Sequence, residues 1–268
     1  MSLLRIGIFG DIVGNTGRDI FARHIGGLRT TYKLDGIIIN GENSANGKGI
    51  TPQIVEFLKQ QGVDVITTGN HVWDKKEIIP FLQSHDDVIR PANFPSGCPG
   101  KGFTIFTCKG HKVAVINLMG RVFMRQQVDC PFKTVDSLLT LVRSKTPIVL
   151  VDMHAEITAE KLGLAYHLDG KVSGVVGTHT HVQTADERVL PGGTAYITDL
   201  GMGGSLNSMI GLVKEPLVQG FLNQMPVRHE VDTEPPYVLS GVVITIDATT
   251  GKSTAIERIY KVDTEPLS

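Results

Sequence analysis

Residues 174–181 read GVVGTHTH, an apolar run of small and β-branched residues that ends in two histidines one residue apart. A run of this composition predicts a buried strand. In extended backbone, residues i and i+2 face the same way, so we expect the His179 and His181 rings to point at one place. Burying two imidazoles side by side without a partner is costly, and a metal ion between them would stabilise the pair. The remaining ligands must then come from elsewhere in the chain.

Strands alternate with helices through much of the chain, which is typical of α/β proteins. The strands are continuously apolar, as expected for a sheet covered on both faces. Thr51 and Pro52 are the predicted N-cap and first residue of one helix, and another is predicted over 74–83 with a kink at Pro80. The other predicted strands are 4–9, 36–40, 63–68, 147–154 and 172–178, and the other predicted helices are 17–32, 51–61, 133–145 and 158–168.

Two regions depart from this alternation. Residues 103–118 resemble an antiparallel pair that turns at Gly110, and the C-terminal third holds further strands with a hairpin turn at TTGK, residues 249–252. This second set of strands predicts a second sheet. We therefore expect an α/β fold of two facing sheets with helices outside. Residues 94–102 form a Pro/Gly-rich loop too short to divide domains, so we expect a single domain over residues 1–268.

Composition excludes several classes of protein. The net charge of −1 predicts no broad basic surface for duplex nucleic acid. The three cysteines are odd in number and form no CxxC pair, which favours a reducing, cytoplasmic setting over a disulfide framework or a thiolate zinc site. The apolar runs are too short for a signal peptide or a membrane span, so we expect no membrane association.

Polar side chains follow five of the predicted strands directly. Because the carboxyl ends of parallel strands share one edge of a sheet, these side chains are expected to converge there. Glycine precedes four of the five sets, which lets the backbone turn sharply and approach a ligand closely. The converging residues are Asp11, Glu42 with Asn43, Asn70 with His71, His154, and His179 with His181.

Carboxylates, imidazoles and amide oxygens together are typical ligands of first-row transition metals. The candidate ligands are more numerous than one ion needs. Two ions about 3.5–4 Å apart, bridged by one carboxylate, would share these ligands between them, as in two-metal hydrolases. The seven candidate ligands are Asp11, Glu42, Asn43, Asn70, His154, His179 and His181.

Other motifs fit less well. Gly10, Gly14 and Gly17 follow the first strand, but their spacing is not that of a dinucleotide-binding GxGxxG turn, and such a turn would leave the histidines unused. Residues 46–49, NGKG, lack the spacing of a phosphate-binding P-loop, and no GxSxG elbow supports acyl transfer.

The ordered set GD, GEN, GNH, a lone histidine and GTHTH resembles the calcineurin-like metallophosphoesterase superfamily. The stretches GDIVG, INGENSANGKG, TTGNHVWDKKE, RPANFP, DMHAE, VVGTHTHVQTAD and AYITDLGM are similar to its YmdB-like branch of bacterial phosphodiesterases. The similarity extends from about residue 4 to about residue 260. Val13 stands where the superfamily has a histidine, and Glu42 where it has a bridging aspartate; the YmdB-like branch shares both departures.

The resemblance implies a four-layer α/β/β/α sandwich with two divalent transition-metal ions per chain, Fe or Mn foremost, with Zn, Co or Ni as alternatives. It also implies that Glu42 bridges the ions and that a hydroxide between them attacks a small phosphodiester or cyclic nucleotide, notably a 2′,3′-cyclic one. His71 would be the general acid. One ion would be held by Asp11, Asn43 and His181, and the other by Asn70, His154 and His179.

Several assignments stay open from the sequence. A phosphomonoesterase, or a metal-dependent regulator that binds a nucleotide without turnover, would carry the same ligands. Asp74 either orients His71 or caps the following helix, and Lys48 and Arg121 either contact substrate phosphate or are solvated surface charges. The loop 202–212 is either a lid or a subunit contact, which leaves homo-oligomer formation open.

Overall fold

The structure, a computed structural model, describes residues 2–267. Its strands are β1 (Leu3–Ile12), β2 (Gly36–Asn40), β3 (Val65–Thr67), β4 (Val88–Ile89), β5 (Phe103–Cys108), β6 (His111–Met119), β7 (Val149–His154), β8 (Gly174–Thr178), β9 (Arg188–Val189), β10 (Ala195–Ile197), β11 (Met202–Ser205), β12 (Tyr237–Asp247) and β13 (Ser253–Asp263). Its helices are α1 (Gly14–Tyr32), α2 (Pro52–Gln60), α3 (Ile78–Ser84), α4 (Pro131–Arg143), α5 (Thr158–Leu168) and α6 (Lys214–Asn223).

The strands form two mixed sheets. The first has seven strands in the order β13-β12-β11-β1-β2-β3-β4, with an additional pairing between β12 and β1. The second has six strands in the order β5-β6-β7-β8-β10-β9. β1 to β4 pair in parallel within the first sheet, and β6, β7, β8 and β10 pair in parallel within the second.

Successive side chains on a strand face opposite sides of the sheet, and this alternation shows how the two sheets are layered. On β2, Ile38 faces the core shared with the second sheet, whereas Ile37 and Ile39 face the core under α1 and α2. On β7, Leu150 faces the shared core and Val151 faces the core under α4 and α5. Three apolar cores therefore separate four layers, and the predicted α/β/β/α sandwich is confirmed.

The division of the chain between the sheets differs from the sequence expectation. The C-terminal strands do not form a sheet of their own, because β12 pairs antiparallel with β1 from Leu3↔Asp247 to Phe9↔Gly241 and extends the first sheet. The second sheet is formed by the middle of the chain. The predicted turns at Gly110 and at residues 249–252 do connect antiparallel strands.

Helix boundaries were mostly predictable, with one correction. Thr51 Oγ1 accepts a hydrogen bond from the Ile54 N–H, as expected of the N-cap of α2. The helix predicted over 74–83 begins four residues later than expected, at Ile78, so the kink predicted at Pro80 does not apply. Pro80 therefore lies in the first turn, where a missing N–H leaves no intrahelical hydrogen bond unmade.

Candidate metal centre

The polar strand ends meet where the two sheets face each other. β1, β2 and β3 deliver their carboxyl ends from the first sheet, whereas β7 and β8 deliver theirs from the second. The register of β1 against β2 shifts between Phe9 and Asp11. A side chain at Gly10 would collide with the Gly201 carbonyl at 2.0 Å, so only glycine allows this close approach. The site is therefore built across two sheets and not along one edge.

One group of donor atoms surrounds the ring of His154. Its Nε2 lies 3.0 Å from Glu42 Oε1, 2.9 Å from Asn70 Oδ1 and 3.1 Å from His179 Nδ1. Donors held about 2.1 Å from one ion at right angles lie about 3 Å apart, which matches these spacings. Glu42, His154 and His179 form a cluster whose ligand atoms all lie within 4.8 Å of one another.

Outer hydrogen bonds fix which nitrogen of each ring faces inward. The Thr178 hydroxyl donates to Asp152 Oδ1 at 2.7 Å, so it accepts from His154 Nδ1 at 2.9 Å. His179 Nε2 lies 3.2 Å from a Glu156 carboxylate oxygen. Both rings therefore carry their proton on the outer side and direct a lone pair at the shared space, as the histidine ligands of a metal do.

A second group of donors adjoins the first. His181 Nδ1 donates to the Ile210 carbonyl at 2.8 Å, and its Nε2 faces Asp11 Oδ1 at 3.7 Å. The Asn43 amide donates to the Gly47 carbonyl at 2.9 Å, which leaves its Oδ1 free to accept. Within residues 2–267, Asp11 Oδ1 and Asn43 Oδ1 are buried oxygens with no hydrogen-bond partner. Orphaned buried oxygens are expected where a cation supplies the missing partner.

Glu42 lies between the two groups. One carboxylate oxygen contacts His154, and the other accepts the His71 backbone N–H at 3.0 Å. Its side chain is buried, and charge interactions couple it to His181 as well as to His71. Its position is that of a residue shared by two donor groups.

Electrostatics favour a cation in this space. Burial raises the pKa of the Glu42 carboxyl to about 7 and also raises the pKa of Asp11. Burial lowers the pKa of His154 to about 4 and that of His179 to about 2. Buried anions beside neutral imidazoles are unfavourable unless a positive charge compensates them. The residues present therefore fit divalent ions with mixed nitrogen and oxygen ligands.

The backbone of the two paired histidines differs from the expectation. β8 ends at Thr178, and His179 and His181 have φ values of 100° and 65°, so they are not extended. The turn is held by Asp11, which accepts the His179 N–H at 3.1 Å, and by Asp199, which accepts the Thr180 N–H at 3.2 Å. The two rings consequently point into adjacent donor groups and not at one place.

His71 is held beside the donor groups by its own neighbour. Its Nδ1 lies 2.8 Å from Asp74 Oδ2, and its Nε2 has no hydrogen-bond partner among the described residues. Asp74 does not cap the following helix, because α3 begins at Ile78 with Glu77 at the N-cap position. The geometry thus favours the orienting role for Asp74.

A pocket of about 490 Å³ opens over the donor groups, a volume within the range of small-molecule sites. Lys48 lines this pocket, as the sequence allowed. Arg121 does not line it, whereas Arg125 does, and His229 lines it outside the donor groups. No motif in the sequence singled out Arg125 or His229.

Glu156 and Asp152 were also missed. Both lie within two residues of His154 on the sequence DMHAE, and that proximity was the available signal. Glu156 contacts the outer nitrogen of the His179 ring directly, and Asp152 acts on the outer nitrogen of the His154 ring through the Thr178 hydroxyl.

Comparison with known proteins agrees with this geometry. The model of the family described as YmdB-like protein matches residues 8–259. The chain belongs to the YmdB-like family. Together with the relatives described next, this membership makes the chain an enzyme of the metallophosphoesterase type, as the strand-end motifs predicted. Among the described residues, no helix is both long and apolar enough to cross a membrane.

Relatives of this YmdB-like chain cover almost its whole length. A Bacillus subtilis protein named 2′,3′-cyclic-nucleotide 2′-phosphodiesterase is 50% identical over 256 residues, which are 96% of each chain. A crystal structure described as that of a novel phosphatase from Mycoplasma pneumoniae has a TM-score of 0.93 at 34% identity, covering 99% of this chain and 96% of its own. A hypothetical protein from Thermus thermophilus has a TM-score of 0.90 at 38% identity, covering 97% of this chain and 100% of its own.

Proposed function

We propose that this YmdB-like chain is a dinuclear metal-dependent phosphodiesterase that hydrolyses 2′,3′-cyclic nucleotides. The observation that carries the proposal is the pair of adjacent donor groups with Glu42 between them. The name of the Bacillus relative, at 50% identity, supports the substrate class. One ion would be held by Asp11, Asn43 and His181, the other by Asn70, His154 and His179, and both by Glu42.

When bound, two such ions supply Lewis-acid polarisation of the phosphoryl group and an activated water nucleophile. The chain itself handles the leaving group. Hydrolysis of a cyclic diester breaks one bond from phosphorus to a ribose oxygen, and that oxygen must gain a proton. His71 Nε2 is the donor, and Asp74 holds the ring through Nδ1. The product is a nucleoside monophosphate with one ribose hydroxyl released.

Charge in the site favours a diester over a monoester. A monoester presents a dianion, whereas a diester is a monoanion and needs less positive charge around it. The amides of Asn43 and Asn70 are neutral, and Lys48 and Arg125 are exposed residues of the pocket wall. A phosphatase is the second candidate, because the similar Mycoplasma structure is described as one.

A regulator that only binds nucleotides is the third candidate. A protein that binds without turnover gains nothing from a histidine whose ring is oriented by a carboxylate beside the donor groups. The contact of His71 with Asp74 therefore supports an enzyme.

The test is a metal analysis followed by a substrate panel on one preparation. Protein isolated without chelator is expected to carry about two transition-metal ions per chain, and Glu42→Ala to lose them. Loaded with Mn or Fe, it should hydrolyse bis-nitrophenyl phosphate and 2′,3′-cyclic AMP much faster than nitrophenyl phosphate and 5′-AMP. A clear preference for monoesters would favour the phosphatase. Nucleotide binding without turnover would favour the regulator, and failure to take up metal would refute the proposal.

A further inference from the structure

The loop after β6 is anchored at both ends beside the candidate metal centre. At its start, the Glu160 carboxylate accepts the backbone N–H of Arg121 at 3.0 Å and that of Val122 at 3.4 Å. At its end, the Gln126 side chain donates to the Asn70 carbonyl at 3.0 Å. The loop is thus tied to a residue that also supplies a candidate metal ligand.

Phe123 lies between the two anchors in an unusual state. Its side chain is 83% exposed, more than any other large hydrophobic residue among those the structure describes, although it lines the pocket. Its φ is 60°, a region that bulky residues rarely adopt. Strained backbone at a pocket is found where the surrounding structure holds a side chain for a function.

The other residues that line the pocket indicate which kind of group would bind against the Phe123 ring. The donor groups at the base of the pocket would take a phosphate, and Lys48 and Arg125 add positive charge around it. An exposed aromatic face in the same pocket suits a flat aromatic group in the molecule that carries that phosphate. In a nucleotide this group is the base.

We infer that Phe123 is the stacking platform for the nucleobase of the substrate, an inference that rests on the proposed function. Every nucleobase has a π-face, so stacking on an aromatic side chain discriminates little between bases. The platform therefore predicts that adenine, guanine, cytosine and uracil cyclic nucleotides are all accepted, with purines favoured through their larger face. Specificity against base-free diesters would come from Phe123.

The test compares two cyclic phosphates that differ only in the base. One is 2′,3′-cyclic AMP and the other is the 2′,3′-cyclic phosphate of methyl riboside. Phe123→Leu keeps an apolar side chain but removes the aromatic face, and Phe123→Trp keeps that face. Phe221→Leu is the matched control, because Phe221 is 73% exposed but does not line the pocket.

Phe123→Leu is expected to lower kcat/KM for 2′,3′-cyclic AMP by about 10- to 100-fold, mainly through KM. Turnover of the base-free substrate should stay unchanged, which also shows that the variant is folded. Phe123→Trp should retain a kcat/KM for 2′,3′-cyclic AMP close to that of the wild type, and Phe221→Leu should have the same kinetics as the wild type. Equal losses on both substrates, or no loss on either, would overturn the platform.

A binding measurement separates this inference from the proposed reaction. In Mn-loaded protein, Phe123→Leu should weaken the binding of 3′-AMP and leave that of inorganic phosphate unchanged. Absence of turnover by the wild type, with binding of 3′-AMP that depends on Phe123, would refute the diesterase and support the platform. If Phe123→Leu binds 3′-AMP as tightly as the wild type does, the platform is refuted, whether or not the protein hydrolyses the substrate.

Discussion

Lys161 Nζ lies 2.7 Å from Asp199 Oδ2, and both side chains are fully buried. The same carboxylate accepts the Thr180 N–H at 3.2 Å, and its other oxygen accepts the Gly201 N–H at 2.9 Å. Lys161 belongs to α5, so this ion pair connects an outer helix to the turn between the two paired histidines. The turn that positions His179 and His181 therefore depends on a charge outside the candidate donor groups.

Replacement of Lys161 by Met is expected to lower the free energy of unfolding by about 3–5 kcal/mol. Removing one partner of a buried pair leaves the other charge uncompensated, here the Asp199 carboxylate. Urea denaturation of the metal-free protein measures the change. The control is Lys101→Met, which breaks an exposed pair with Asp86 and should cost less than about 1 kcal/mol. Equal effects of the two variants would contradict the account.

His71→Ala is expected to lower kcat by about 10²–10⁴-fold and to leave the metal content near normal, because His71 would act on the leaving oxygen. The loss should be smaller for a nitrophenyl ester, whose leaving group needs little protonation. Steady-state kinetics on the two substrate types, with metal analysis of each preparation, checks this expectation. A loss of the same size on both would indicate a positioning role instead.

Asp74→Asn should have a smaller effect of the same kind. The amide retains a hydrogen-bonding group near His71 Nδ1 but no longer stabilises the protonated ring. A decrease in kcat that is again larger for the poor leaving group is the expected kinetic result. Unchanged kinetics would exclude Asp74 from orienting the acid.

Gly69→Ala is expected to displace the His154 ring, because a side chain at residue 69 would lie 2.2 Å from His154 Cδ2. We expect loss of bound metal and of activity. Gly26→Ala is the matched control, since nothing lies within 4 Å of the added methyl group on α1. Alanine there should stabilise the helix by about 0.5–1 kcal/mol. Full metal content in Gly69→Ala would show that the ring can move without loss of the site.

Stability of the chelated protein should depend on pH through Glu42. Burial raises the pKa of this carboxyl to about 7 in the folded state, from about 4.3 in the unfolded chain. The folded state then retains a proton that the unfolded state releases, so this contribution to stability falls as pH rises from about 4.3 to 7. Glu42→Gln removes this titrating carboxyl, so its stability lacks this dependence on pH.

When both proteins are metal-free, the free energy of unfolding of Glu42→Gln relative to that of the wild type should therefore rise by up to about 3 kcal/mol between pH 4.5 and pH 8. Urea denaturation at the two pH values gives the difference, and comparison with the wild type cancels the titration of other groups. With Mn present the order should reverse, because the ion needs the carboxylate. A pH-independent difference would show that Glu42 is not held in a low-polarity site.

The sequence predicted that the seven candidate donors gather at the ends of five strands, and the structure brings these residues into two adjacent groups, because parallel strands end together. It did not predict the arrangement of the sheets, since apolar periodicity does not specify that β12 pairs with β1. The extended backbone predicted for the paired histidines was also wrong. That turn depends on Asp11 and Asp199, which reach it from distant parts of the chain.

Loop residues were the hardest to assign. Arg121 and Arg125 are both exposed and basic, and only the path of the anchored loop decides which of them lines the pocket. The assignment of metal ligands and the single domain over residues 1–268 stay predictions. The fold class and the membership in the YmdB-like family are confirmed.

The pairing of β1 with β12 also has a consequence for synthesis of the protein. A ribosome releases Asp11 first and His181 last among the candidate donors, but it releases residues 237–247, the partner strand of β1, later still. Until then, one long edge of β1 lacks its antiparallel partner, and such edges favour association between chains. The strand that carries Asp11 thus gains its antiparallel partner only after translation has passed every candidate donor, so we expect metal capture to follow the synthesis of residues 237–247.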